Sequence, residues 1–410
     1  MDFNKKLKKK KKSNNFVENF FQRNRVKNYF LNPFIKSIRF HQDSIFKVLP
    51  HPILKNIIFS GSADGEICSW LLTREKCLFN LKAHRKCIRG LSINYNGKFL
   101  LSCSDDSSLK LWKILENKEK PEKNYDSDFG FTSTMFNPVT SYFLTTGTSI
   151  IIWDLERFIP VQKIFQKELT ISCAKFNPIE FNILLSSSSN RSLMLHDLRL
   201  HSPVTNFAME MRTNDIVWSK ANPWEFVIAN EDSNLYTFDI RKINHVKKVF
   251  KGHVMPVQSI DLDKESDLLV SGSLDRTIRI YSLKFNFESE VYSSSRMSRV
   301  LCVGFSSDYN IIFSGSEDGN LRLWKRPDEM ENFYGYNDAN KKKSNKKNYK
   351  SNMFSKCSNR FFLPKLVKSM RRIKTRLDLS KQSKKTRVFE NILPGSASTK
   401  NNFKIPTYIM

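Results

Sequence analysis

No run of apolar residues in this chain approaches the roughly 18 that a membrane-spanning helix requires, and no apolar signal segment precedes its first strand-like run. The seven cysteines, at positions 68, 77, 87, 103, 173, 302 and 357, include no C-x-x-C pair. Their odd number and their placement in strand-like runs read as reduced thiols of an intracellular protein, not as a disulfide framework. There is no phosphate-cradling G-x-x-x-x-G-K-[ST], no G-x-S-x-G and no H-E-x-x-H. Seven histidines are scattered, and none stands at a metal-ligand offset from Cys, Asp or Glu. No enzyme, cofactor, metal or small-molecule substrate is expected on these grounds.

What is abundant is positive charge, 68 Lys and Arg against 40 acids for a net of +28. Its placement matters more than its size. Residues 1–33 carry a net +8 and residues 325–410 a net +16, which leaves only +4 on residues 34–324. The basicity therefore belongs to the two ends. Phe, at 33 residues, is unusually common, and Lys and Asn are plentiful. All three have A/T-rich codons, so the lysine excess has two readings, selection for charge or nucleotide bias of the kind a reduced endosymbiont genome carries.

The middle is organised by a repeat. Seven stretches end at Trp70, Trp112, Trp153, His196, Phe238, Tyr281 and Trp324, at intervals of 41 to 43 residues. Six residues before most of these stands a turn acid, Asp64, Asp106, Asp232, Asp275 or Asp318, with Asn190 in place of one. That period with a Trp and a turn Asp predicts a seven-bladed WD40 β-propeller, an all-β ring with four strands per blade. The domain expectation is a basic extension over 1–33, the propeller over 34–324 and a basic tail over 325–410. Runs at Lys55–Ser60, Lys98–Ser102, Asp267–Ser271 and Asn310–Ser314 lead into tight Gly/Asp turns such as Gly61–Gly65 and Gly315–Gly319. Residues 34–40 resemble a blade's outer strand and precede the first full blade. They are expected to close the last blade, because a ring must protect its strand edges. The charged, Pro-containing insert Glu116–Asp128 is expected to be a surface loop.

His84 with Asp106, and His253 with Asp275, have the look of acid–base pairs. Their recurrence blade after blade argues for structure instead. In WD repeats a His, an Asp, a strand hydroxyl and a Trp form one hydrogen-bonded staple. His84, Asp106, Ser102 or Ser104, and Trp112 match it, as do His41, Asp64 and Trp70; Asp318 and Trp324 mark the last blade.

The ends read differently. The lysine block at Lys5–Lys12, with Lys8, Lys9, Lys10 and Lys11 at its centre, has three compatible readings: a nuclear import signal, RNA-phosphate contact, or a solvated tail. Asn15–Tyr29 is a candidate short helix. Asn340–Asn352 is Lys/Asn/Ser-rich and reads as disordered. Over Asn359–Leu379, Phe361, Phe362, Leu363, Leu366, Val367, Met370, Ile373 and Leu377 predict one apolar stripe of a helix. Lys365, Lys368, Arg371, Arg372, Lys374 and Arg376 fill much of its remainder. Such a helix suits RNA, docking on its own propeller or a protein partner, or a membrane surface; RNA and protein partners are expected here, without a membrane.

Two segments are more specific than a generic blade. One runs Asp197-Leu198-Arg199, Ser202-Pro203 and Met211–Trp218; the other is Ala229–Arg241. With Arg296–Val300 and Gly315–Trp324, they resemble the Sof-type family, nucleolar WD-repeat proteins named for suppression of fibrillarin defects. The resemblance runs from about Val26 through Trp324 and more loosely into Arg360–Ile373. It implies a scaffold of the small-subunit processome in the nucleus and nucleolus, acting with the box C/D small nucleolar ribonucleoprotein on pre-ribosomal RNA. Arg212, Asn214, Arg296 and Arg299 are the loop candidates for partner contacts. The family also implies an alternative, a substrate receptor of a cullin-RING ubiquitin ligase. Its Trp-Asp-x-Arg box would lie at His196-Asp197-Leu198-Arg199 or Phe238-Asp239-Ile240-Arg241, making Arg199 and Arg241 the adaptor contacts; each box here lacks the Trp.

Overall fold

The structure, a computed structural model, describes residues 33–326 apart from 73–75, 115–119, 166–169, 201, 264–267, 284–289 and 295, together with most of 367–380. Lys8–Lys11, Asn15–Tyr29, Asn340–Asn352 and Lys365 lie outside the described residues, and the side chain of Lys368 does too.

Seven four-stranded antiparallel sheets succeed one another as blades. In blade one the strands are Ile45–Pro50, Ile57–Ser62, Glu66–Leu71 and Lys76–Lys82, paired in chain order. The first strand of each sheet packs against the first strands of the sheets on either side, so it is innermost. Second strands are buried almost throughout, as in Ile57–Ser62, Ile183–Ser188 and Ile311–Ser316. Both faces of a blade are covered by its neighbours, so the polar/apolar alternation of a one-sided sheet is lost. The core is accordingly a series of inter-blade layers. Phe59 and Ile67 of blade one pack with Ile88, Leu91, Leu100 and Trp112 of blade two.

Antiparallel order fixes what each end of the ring presents. The turns between second and third strands share one end with the connections from each outer strand to the next blade. This is the turn-acid face. Two glycines there are obligatory. Gly65 and Gly319 adopt φ of +82° and +70°, and a Cβ would meet the carbonyl oxygens of His84 and His41 at 2.2 and 2.5 Å. The other two sets of connections form the opposite face.

Phe34–Arg39 pairs antiparallel with Asn320–Lys325, from Phe34 opposite Trp324 to Arg39 opposite Asn320. It is the outermost strand of the last blade, so the chain's first strand and its last share one sheet. The insert at Glu116–Asp128 differs from expectation: Lys123–Asp126 is the outer strand of blade two. Tyr125 anchors it, 3% exposed, with its ring 5.6 Å from that of Phe143 and 5.2 Å from that of Trp153. Lys123 reaches the Leu155 carbonyl oxygen at 2.5 Å, so a charged residue here still ties one blade to the next. The strands entering the turns also run further than the sequence runs suggest, with Gly61, Ser62, Gly315 and Ser316 inside them.

Beyond the ring, residues 367, 369–377 and 379–380 are helical. No helix among the described residues is long and apolar enough to cross a membrane.

Candidate functional site

The turn-acid face is built from the staples. In blade two the His84 Nε2 lies 2.8 Å from Ser102 Oγ, which also accepts from Trp112 Nε1 at 3.0 Å. His84 Nδ1 faces Asp106 at 3.2 Å, and Asp106 is itself aimed by the amide and hydroxyl of Ser108 at 3.0 and 2.7 Å. Ser102, not Ser104, is therefore the staple hydroxyl. Blade six repeats the set, with His253 Nδ1 to Asp275 at 2.9 Å, Nε2 to Ser271 at 2.7 Å and Thr277 holding the carboxylate. Burial pushes the Asp275 carboxyl up, but the His253 imidazole and the hydrogen bonds from His253 and Thr277 outweigh it and hold it at about 2. His253 is lowered, chiefly by burial, so the pair is a neutral imidazole beside a carboxylate. With every lone pair directed into the blade, these groups clamp strands together and present nothing to a substrate.

Blade seven has no such histidine. Asp318 is held instead by Arg322 at 2.5 Å, and the same guanidinium reaches the Arg296 carbonyl oxygen at 2.9 Å. Trp324 Nε1 donates to Ser314 at 2.9 Å. Blade one departs from expectation. His41 Nε2 faces Ser60 Oγ at 2.7 Å and Trp70 Nε1 donates to Ser60 at 2.8 Å, but Asp64 takes the Asp43 amide at 3.1 Å and is not the partner of His41. The hydroxyl that aims the acid in blades two and six is Glu66 here, so Asp64 lacks the bonds that would turn it toward the ring.

The tail helix docks on this face. Lys374 Nζ donates to the Ser233 hydroxyl in the turn of blade five, and to the carbonyl oxygens of His253 at 3.2 Å and Asp232 at 3.5 Å. One ammonium thus bridges blades five and six, at a blade whose own third strand carries Tyr236 where blade seven has Arg322 and blade two Lys110. The predicted apolar stripe is divided. Val367 is fully buried and Met370 partly so, while Ile373 and Leu377 are 56% and 55% exposed. The inward positions on the helix are 367, 370 and 374, because the ring offers oxygen acceptors there and these take an ammonium better than a methyl group. Arg371, Arg372 and Arg376 face outward. Replacing Lys374 with Met removes charge-assisted bonds worth about 1.5–3 kcal/mol each at most. Amide exchange in 369–377 is expected to rise at least about tenfold while the ring's exchange stays unchanged.

The four loop candidates separate. Arg212, Arg296 and Arg299 are exposed on the turn-acid face, Arg299 within 3.7 Å of Glu317. Asn214 lies inside the ring wall, where its amide donates to the Val257 carbonyl oxygen of the next blade at 2.9 Å. Arg199 and Arg241 end third strands and sit on the opposite face. Arg241 is held by Asp239 through two bonds of 3.0 and 3.1 Å and lies over the Trp224 ring at 5.3 Å. Arg199 is 73% exposed, with its Nε 4.0 Å from Asp197. What the sequence left unseen is the inward role of Lys374; its signal would have been the missing cation of blade five, at Tyr236.

These features define a class: a WD-repeat β-propeller scaffold with a basic helix seated on its turn-acid face. The WD domain, G-beta repeat family matches residues 75–113, 244–282 and 289–325. The chain is 33% identical to the Saccharomyces cerevisiae Protein SOF1, across 73% of this chain and 67% of that one. It is also 33% identical to the Xenopus laevis DDB1- and CUL4-associated factor 13, across 73% of this chain and 68% of that one. The chain belongs to the family of these proteins. In fold it resembles the WD40 propeller domain of Doa1, with a TM-score of 0.63 at 16% identity over 73% of this chain and 98% of that one.

Proposed function

We propose that this protein is a non-catalytic scaffold of ribosome biogenesis. On this reading it is a nuclear and nucleolar component of the small-subunit processome, acting with the box C/D small nucleolar ribonucleoprotein in pre-ribosomal RNA processing. Membership of the Protein SOF1 family supports the reading. The observation that carries the RNA contact is the tail helix: its one described inward cation, Lys374, is spent on the ring, and Arg371, Arg372 and Arg376 are left facing solvent. The ring itself, near neutral in sequence, meets neighbouring assembly proteins, with Arg212, Arg296 and Arg299 on the helix's side. Each arginine–phosphate contact releases counterions, at about 0.7 in log–log salt slope for single-stranded RNA. Replacing Arg371, Arg372 and Arg376 with Gln is expected to reduce the salt slope of RNA binding by about two. Equal slopes for both proteins would place RNA elsewhere on the chain, and purification without copurifying small-subunit precursor RNA would overturn the scaffold reading.

A second reading is favoured by one observation. Arg199 projects on the face away from the tail helix, while Arg241 is occupied by Asp239 and Trp224. An adaptor of a cullin-RING ligase would therefore read Arg199, and Arg199→Ala would abolish its binding without changing RNA affinity.

A further inference from the structure

Blade one is the odd staple, and its oddity has a pattern. Four residues after the turn acid, blades two, six and seven carry Lys110, Arg279 and Arg322. Lys110 reaches the Ala83 carbonyl oxygen at 2.5 Å and Arg322 holds Asp318. Blade five has Tyr236 there and receives a cation from outside its own sequence, the ammonium of Lys374. Blade one has Cys68 there and gains a second acid, Glu66, two residues after Asp64. It thus has a carboxylate where blades two, six and seven have Ser108, Thr277 and Asn320, and lacks their cation.

His41, Glu66 and Cys68 bring a ring nitrogen, a carboxylate oxygen and a sulfur all within 4.8 Å of one another. The imidazole Nδ1 that turns to an aspartate in blades two and six here turns to Cys68 Sγ, at 3.9 Å. Asn80 completes the group, accepting from Cys68 at 3.3 Å and donating to Glu66 at 3.3 Å. A second thiol, Cys77, is in hydrogen-bond reach of Cys68. Zinc-type bonds of about 2.0–2.3 Å set tetrahedral ligand atoms roughly 3.3–3.8 Å apart, so closing the set needs shifts of up to about 1.5 Å. His41 and Cys68 are buried, but Glu66 is half-buried and Asn80 exposed, which gives an ion a way in from the blade's edge.

The geometry points to a divalent-cation site at the rim of blade one, in which His41 Nδ1, Cys68 Sγ and a Glu66 oxygen bind a zinc-type ion. The mixed nitrogen, sulfur and oxygen donors suit zinc or cobalt and not a hard, all-oxygen cation such as magnesium. The tautomer is consistent. With Nδ1 as ligand, Nε2 carries the proton and donates to Ser60 Oγ, whose second lone pair takes the Trp70 indole. Ligation displaces the Cys68 proton to solvent, which ends the bond to the Asn80 oxygen and leaves Asn80 as the neighbour whose amide orients Glu66. The ion brings to the turn of blade one a positive charge, as Arg322 does at blade seven and Lys374 at blade five.

The test is cobalt titration of the full chain, stripped with chelator. One equivalent is expected to bind with a thiolate-to-cobalt charge-transfer band, displaced by equimolar zinc. Cys68→Ser should abolish the band and Glu66→Gln should weaken binding at least about tenfold, whereas Cys173→Ser, a buried thiol remote from the site, should leave both intact. Zinc should raise the melting temperature of the wild type and not of C68S. Binding without a thiolate band, or a band that survives C68S, overturns the assignment. Asn80→Ala, at an exposed position that cannot unfold the blade, keeps the result readable: about a tenfold loss of affinity is expected, and unchanged affinity removes Asn80 from the site.

Discussion

Deleting residues 33–39 is expected to give an aggregating protein with a much lower melting temperature. The deletion strips the outermost strand from the last blade and exposes the edge of Asn320–Lys325. Two sets of contacts go with it. The Phe34 ring lies edge-on to Trp324 at 5.3 Å, and the Pro33 carbonyl oxygen accepts from the Lys325 amide at 2.8 Å. Ile38 is 9% exposed within the layer that joins blades seven and one. Burial of the Ile38 side chain alone contributes about 1.5–3 kcal/mol, and the half-buried Phe34 adds a part of that. The strand's hydrogen bonds add to this, and an unpaired edge becomes a template for another chain. The seam also joins the ring's two ends, so opening it lets blades one and seven part. Thermal unfolding with light scattering measures both effects; a soluble, monomeric deletion mutant with an unchanged transition would show that the ring closes without this strand.

Lowering the pH from 7 to 5 is expected to destabilise the propeller, with His196 the clearest single contributor. His196 occupies the Trp position of blade four and bonds Ser186 Oγ through Nε2 at 3.0 Å, as Trp70, Trp112 and Trp324 do with their own strand serines. Burial lowers its pKa from 6.5 to about 4. A depressed folded-state value means that the unfolded chain binds the proton first. The stabilisation is therefore complete above the unfolded pKa and is lost as pH falls from 6.5 through 4. The loss amounts to about 2 kcal/mol by pH 5 and on the order of 3 by pH 4. His41, His84 and His253 are also lowered chiefly by burial, so they act in the same direction. His196→Phe isolates the first effect, since Phe238 fills the same position in blade five. It should cost about 1 kcal/mol at pH 7 through the lost hydrogen bond. At pH 5 it should equal or exceed the wild type, because nothing at that position titrates. Melting curves that fall in parallel for both proteins would show that His196 is not the sensor.

The repeat was legible because it rests on local rules applied in most of the seven blades. A Trp and a strand hydroxyl face each other across a hairpin, and a turn acid sits six residues before the Trp, so the blades appear as a period in the chain. The staples of His84 and His253 could be read the same way. Asp64 could not, since its orientation depends on whether the residue two positions on carries a hydroxyl, and in blade one that residue is Glu66. The strand at Lys123–Asp126 was hidden by its charge. Only Tyr125 faces the layer between blades, and one buried aromatic does not make a period. On the tail, the apolar spacing foretold a helix but not which side would face the ring.

The sequence by itself determined the number of blades, the identity of most staples, the low net charge of the ring against its basic ends and the family. These follow from spacing, composition and long local segments. Only the tertiary structure decided that Lys374 turns inward while Ile373 and Leu377 turn out, that Arg241 pairs closely with Asp239 and lies over Trp224 while Arg199 stays 4.0 Å from Asp197, and that His41 meets Glu66 and Cys68. Each of those outcomes depends on groups brought together by ring closure or by docking. A carbonyl oxygen of blade six, an indole at a blade's end or a thiol on a neighbouring strand selects its partner by distance and polarity in the folded state. That choice leaves no spacing in the chain.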